Sequence, residues 1–221
     1  MEEELDILDS TGAATGESAP KSEVHRLGLY HRCFHCWISG TGSGGPYLLV
    51  QRRARGKENW PGMLDATAAG HLQSGEETLD GLREVEEELG LRVEPRHLIR
   101  LGTREIDQEI PAGRDREFQE VFLLLETVDP SAFRLQREEV LSVARLDLDA
   151  VERLHGGEAV TAEEWSAAGE RREAEVGLGD FVPNDDRYLL RVARAVRAAR
   201  AGGAAAESFR EPPTPGPPGT R

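Results

Sequence analysis

The spacing of apolar positions changes several times along this chain, and each change predicts an element. Residues 3–8 (EELDIL) mix acidic and aliphatic side chains as a short strand, and the glycine-bearing stretch 12–16 reads as a turn before a second. Residues 28–39 (GLYHRCFHCWIS) are aromatic and β-compatible. After the turn GTGSGG, residues 46–52 (PYLLVQR) return as a strand, so 29–52 predicts a hairpin with a loose loop. An irregular basic and aromatic loop follows over 53–65, then a short strand over 66–70. Leu79, Leu82, Val85 and Leu89 recur every three or four positions, the period of a helix. Beyond it, 97–105 and 118–125 read as strands around a charged loop, and 147–154 as a short helix. Thr161 with Glu164 has the spacing of a cap for a further helix, and 187–200 predicts a C-terminal one. From 201 onward small residues and then EPPTPGPPGTR read as a disordered tail. Strands before and after one central helix, with helices at the end, predict an α+β layered domain.

The central helix carries the chemistry. Its run REVEEELGL places Glu84, Glu87 and Glu88 three and four residues apart, so the three carboxylates crowd one face. Like charges at that spacing cost stability, and a hard divalent cation with a taste for oxygen would relieve them. A solvated acidic face is the commoner meaning of a charge run taken alone. Here the surroundings favour the cation. Ser74 followed by Glu77 has the spacing of a capping box, which starts the helix near 75, and Gly90 is placed to end it. Gly70, just upstream, can turn a bare backbone carbonyl toward a ligand.

Length and composition set the frame. With 221 residues and 38% hydrophobic content, one domain with extra termini is expected. No apolar run approaches the roughly 20 residues of a spanning helix. The start MEEELDILDS lacks a basic-then-apolar secretion signal, and two cysteines make no disulfide framework, so a cytoplasmic location is expected. A net charge of −14 argues against a nucleic-acid partner. It does not exclude a small phosphorylated substrate, because a bound cation and a few arginines offset the field locally.

The loop–helix–loop from Gly70 to Leu91 resembles the Nudix signature: Gly70, Glu76, Arg83, Glu84, Val85, Glu87, Glu88, Gly90 and Leu91 all match. One departure is that six residues, not seven, separate Glu76 from Arg83. Inside the helix, that deletion would rotate everything upstream by roughly 100°. The resemblance implies a mixed-sheet α/β/α sandwich over 28–200, with 1–27 as an N-terminal hairpin extension and 201–221 as the tail. The segments VHRLGLYHRCFHCWI, QRRARGKENWPGMLDATAAGH, REFQEVFLL and AFRLQREEV are similar to a subfamily close to type 1 isopentenyl-diphosphate isomerase and to a Nudix module that plants attach to a peptidase-like domain. Such isomerases hold a metal with histidines and glutamates and protonate an alkene with a cysteine and a glutamate. His31, His71 and Glu117 fall on matching positions and His25 lies close to another, but the cysteine position holds Ala69. With Glu84, Glu87 and Glu88 retained, the resemblance points to hydrolysis rather than isomerisation.

What it implies for the site is specific. Gly70, Glu84, Glu87 and Glu88 would hold Mg²⁺ or Mn²⁺, with Glu117 a further metal ligand. Glu87 and Glu117 would be catalytic, with Glu120 a second choice of base; both Glu117 and Glu120 would otherwise flank an exposed edge. Arg83 is grouped with them, more as an orienter of a neighbouring carboxylate than as a substrate contact. Arg53 and Lys57 would clamp phosphate, or simply solubilise a loop that includes Arg52. His31 and His71 would lie on the substrate side. Trp60 is expected in the core. His31, Cys33 and His35 share one strand face with Cys36 on the other; a single CxxC is a weak zinc signal, and polar residues beside the active site are expected instead. The EEV at 138–140 reads as a strand entry. The expected partner is a small-molecule diphosphate, either a nucleoside di- or triphosphate or an isoprenoid diphosphate, with no membrane partner. An isomerase and a catalytically silent sensor stay as alternatives. The oligomeric state is not legible.

Overall fold

A long central strand organises the molecule. In the computed structural model, which describes residues 2–184, 186–203 and 209, the N-terminal strands β1 (Glu4–Leu8) and β2 (Ala14–Pro20) pair with each other, and α1 (Lys21–Leu27) follows. Then comes β3 (Tyr30–Gly42), which alternates its side chains between two cores. Phe34, Cys36 and Ile38 enter one cluster, while Trp37 enters the other. β4 (Gly45–Arg53) returns antiparallel to β3, as the sequence predicts, and β5 (Leu64–Asp65) and β6 (Ala68–His71) are short. The signature helix is α2 (Leu82–Leu89). It is followed by β7 (Leu98–Ile110), β8 (Gly113–Leu125), β9 (Val140–Asp147), α3 (Leu148–His155), β10 (Val160–Ser166), β11 (Arg171–Val176) and α4 (Tyr188–Arg200).

These make a mixed sheet between helical layers, the expected α/β/α sandwich. The path β11-β10-β9-β4-β3-β1-β2 is joined by β8, which runs parallel to β3. α2 packs Val85 and Leu89 on one face of the sheet, and α3 and α4 bury Val151, Leu154, Val192 and Val196 on the other. β3 pairs with β4 only from Ile38 to Gly42 and with β6 from Cys33 to Cys36. The sheet therefore opens where β4 and β6 diverge, and a cavity forms there. Among the described residues no helix is long and apolar enough to cross a membrane.

Several expected elements differ. The "charged loop" between 105 and 118 is strand apart from a two-residue turn: β7 and β8, thirteen residues each, form one hairpin, stitched by Asp107 to Arg114 and Arg116 across the pair. Residues 160–166 are strand rather than helix. Glu164 is buried there, accepting hydrogen bonds from Ser142, Arg52 and Arg172, so it serves cross-strand neighbours instead of a helix cap. The helix also starts later than 75. Ser74 donates to Asp6, Asp80 accepts from the Glu77 N–H, a single 3-10 turn spans Thr78–Gly81, and α2 begins at Leu82. Most of the expected tail lies outside the described residues; Phe209, within it, packs edge-on against Tyr188.

Candidate active site

The late start of α2 settles what the shortened signature does. The six residues between Glu76 and Arg83 take a 3-10 turn before the helix begins, and Arg83, Glu84, Glu87 and Glu88 sit together on regular helix. Gly90 ends it with a left-handed φ of 69°. Val85 and Leu89 anchor the helix in the core and turn Glu84 and Glu88 toward β6, both nearly buried, while the Glu87 side chain stays 53% exposed.

Gly70 leaves room for this approach. A Cβ there would lie 2.1 Å from the Glu84 carboxyl carbon. Glu88 accepts from the Ala69 N–H at 3.0 Å and from Gln51 Nε2 at 3.2 Å. Burial pushes the Glu84 carboxyl up to about 7, with Glu87 adding to the rise and Arg83 opposing it. Burial likewise pushes Glu88 up to about 8, helped by the charge of Glu84.

Arg83, grouped with the catalytic residues on the resemblance, is held among neighbours that it can orient. Its guanidinium contacts Glu84, reaches Glu76 at 2.7 and 3.0 Å, donates to the His71 carbonyl at 2.8 Å, and lies 3.5 Å from Glu87. It thereby ties the loop to the helix without lining the cavity. Glu76 is absorbed by this fork, and the bonds from Arg83 hold its carboxyl below the usual range.

The cavity, about 480 Å³, is lined by Gly70, His71, Glu84, Glu87 and Glu88 together with a second acidic and imidazole group. Alternation along β6 separates the two: the helix carboxylates meet the strand at Gly70, and the second group surrounds His71. That group has four sources, His25 on α1, His31 and Cys33 on β3, His71 on β6, and Asp115 with Glu117 on β8. The parallel register sets His31 beside Glu117, and the antiparallel one sets Cys33 beside His71. The three imidazole centroids lie 5.2–5.4 Å apart. Burial and the neighbouring His31 depress His25 to about 4, and burial with Lys21 and His31 holds His71 well below its ordinary value. For His31, burial is outweighed by Glu117 and Asp115, which raise it. Glu117 shows the reverse: burial is outweighed by His31 and His71, so its carboxyl titrates far below the usual range. Burial and Glu117 push Asp115 up to about 8.

A polar chain supports Glu117 from behind. Gln119 donates to it at 2.6 Å and accepts from Arg104 at 2.7 Å, and Arg104 is held by both oxygens of Asp186 and lies over the Tyr188 ring. The Tyr188 hydroxyl accepts from Trp37 at 2.9 Å and lies within hydrogen-bond distance of His35 Nδ1, at 3.1 Å. Arg53 and Lys57 line the cavity, paired with Asp65 and Glu139 respectively.

Two expectations need correction. Glu120 points to the opposite face of β8 from Glu117, bound by Arg100 at 2.6 Å and Thr103 at 3.0 Å, and does not line the cavity. Trp60 is not core: it holds a left-handed backbone (φ 53°) and lines the cavity. Arg52 turns away to Glu164. Asp115 and Arg104 were missed altogether. The period-two run of Asp115, Glu117 and Gln119 was the available signal, hidden because 113–117 read as loop.

Residues 29–168 match the NUDIX domain model. This chain belongs to the Nudix family. An uncharacterized Nudix hydrolase of Clostridium acetobutylicum is 34% identical over 203 residues, 89% of this chain and 98% of that one. Nudix hydrolase 3 of Arabidopsis thaliana is 37% identical over 147 residues, 64% of this chain but 19% of the plant protein. The isopentenyl-diphosphate Delta-isomerase of Escherichia coli is 31% identical over 151 residues, 67% of this Nudix chain and 79% of the isomerase. Among solved structures, a Deinococcus radiodurans protein superposes with a TM-score of 0.54 at 19% identity, covering 71% of this chain and 91% of that one, which speaks to the fold. The family match and the near-full-length similarity place this Nudix protein with the diphosphate-bond hydrolases.

Proposed function

We propose that this protein is a Mg²⁺-dependent hydrolase of a phosphoanhydride in a polar, diphosphate-containing small molecule. The observation that carries the reading is the pair of buried carboxylates Glu84 and Glu88, packed against the backbone of β6 and joined by Glu87 at the cavity. Burying such neighbours is costly unless a cation compensates them. Gly70, Glu84, Glu87 and Glu88 all offer oxygen, the donor type that a hard cation takes. Mg²⁺ bound there would supply charge stabilisation on the phosphoryl oxygens.

The chain's own residues divide the remaining work. Glu87, the exposed member of the helix trio, positions the attacking water and accepts its proton. Glu117 is a poor base, since the imidazoles hold its carboxyl deprotonated. It belongs with His31 and His71 in a second cation site, a role the isomerase resemblance also implies. Arg53 and Lys57 exchange their carboxylate partners for substrate phosphate. Lys21, Arg104, Gln119 and Asn184 also line the cavity, a polar wall that suits a nucleotide-like leaving group better than a prenyl chain.

A second reading, an isomerase, is favoured by the Escherichia coli relative and opposed by Ala69, which leaves no thiol before Gly70. One screen separates the two: nucleotide, sugar, coenzyme and isoprenoid diphosphates with Mg²⁺, reading released phosphate and pyrophosphate, plus isopentenyl diphosphate for double-bond migration. Hydrolysis that disappears in Glu87→Gln and Glu88→Gln supports the proposal. Migration without hydrolysis favours the isomerase, and no turnover on any compound favours a silent binder.

A further inference from the structure

At the histidine cluster, β3 brings a thiol as well as an imidazole. Cys33 follows His31 by two residues, on the same face, and its partner across the sheet is His71. One ligand atom from each of His31, Cys33, His71 and Glu117 falls within 4.8 Å of the other three. The two Nε2 atoms lie 3.7 and 3.6 Å from Glu117 Oε1. Ligands bound about 2.0–2.3 Å from a tetrahedral ion stand roughly 3.3–3.8 Å apart, so the two imidazoles already stand from Glu117 at the edge lengths of such a shell.

A second observation also points to a ligand. Nε2 of His31 and of His71 is buried without a hydrogen-bond partner, and His31 is wholly inaccessible. Orphaned polar atoms at that depth call for a partner. On the other side of its ring, His31 meets the Leu29 carbonyl through Nδ1 at 3.1 Å, which turns Nε2 toward the cluster. Cys36 takes no part, since it is buried in the opposite core. A thiolate and two imidazoles suit a borderline transition metal, whereas Mg²⁺ prefers oxygen.

We propose that Cys33, with His31, His71 and Glu117, makes this cluster a site for a borderline dication such as Zn²⁺ or Co²⁺ in preference to Mg²⁺. On binding, the thiol proton passes to solvent and a sulfur–metal bond forms, with no change of oxidation state. This rests on reading the cluster as a cation site, and is independent of turnover at the helix carboxylates.

The test is a Co²⁺ titration of the metal-free full-length protein in excess Mg²⁺. The expected result is one Co²⁺ at this site with a thiolate-to-cobalt charge-transfer band, removed by Zn²⁺ and insensitive to Mg²⁺. Cys36→Ser keeps the band; Cys33→Ser loses it and weakens Zn²⁺ binding at least tenfold, since partners that merely orient a ligand are already worth roughly 10–100-fold. Should Cys33→Ser fail to fold, zinc-edge X-ray absorption on the wild type decides, the expected signature being one sulfur at about 2.3 Å. Metal uptake with no sulfur scatterer and no band overturns the role of Cys33 and leaves the cluster a cation site. Failure to take up Co²⁺ or Zn²⁺ overturns both.

Discussion

Glu88→Gln is expected to make the metal-free protein more stable while abolishing its activity. The fold raises the Glu88 carboxyl from its ordinary 4.5 to about 8, chiefly through burial and then through Glu84. Between those two values the folded state binds a proton that the unfolded chain has released, so stability falls as pH rises across that window. At about 1.4 kcal/mol per pH unit, the interval sets a ceiling of about 5 kcal/mol at alkaline pH. The amide carries no charge, and its oxygen, set where Oε2 now lies, still accepts from the Ala69 N–H and from Gln51 Nε2. A realised gain of about 2–4 kcal/mol near pH 9, shrinking toward zero near pH 5, is expected. Urea unfolding with a chelator at both pH values measures it. Added Mg²⁺ then stabilises the wild type by about 2.7 kcal/mol at a hundredfold excess over its Kd, and the variant far less. A wild-type stability that is flat between the two pH values, or a variant weaker than wild type near pH 9, would refute the argument that burial charges this carboxyl at a cost.

Three further variants separate the remaining roles. Arg83→Ala, by freeing Glu76, Glu84 and the His71 carbonyl, should lower activity roughly 10–100-fold through weaker Mg²⁺ saturation; a collapse of kcat at unchanged Mg²⁺ dependence would mean that Arg83 touches substrate. Gly70→Ala puts a methyl where the Glu84 carboxyl now lies, so the end of that side chain must move and Mg²⁺ affinity should fall roughly tenfold; a titration that finds the wild-type Mg²⁺ affinity would refute the role of the close approach. Glu120→Gln should leave kcat and KM unchanged and cost about 1–3 kcal/mol, because a buried carboxylate loses its charge beside Arg100 and Thr103; a large loss of kcat would return Glu120 to the list of bases.

Sequence alone determined whatever depends on neighbours a few residues apart. The placement of Arg83, Glu84, Glu87 and Glu88 follows from helical spacing, and the stop at Gly90 follows from the left-handed cap. The β3–β4 hairpin was legible from β-compatible runs on either side of GTGSGG. Tertiary structure decided the rest. Charged residues in 106–117 read as loop from the sequence, yet long-range pairing of β7 with β8 and of β8 with β3 makes them strand, and a one-residue change of register would have turned Asp115 and Glu117 away from the histidines. Glu164 looked like a helix cap until three partners from β4, β9 and β11 surrounded it. The histidine cluster draws on four elements spread from residue 25 to residue 117. Cross-strand registers bring those side chains together, and local periodicity carries no record of them.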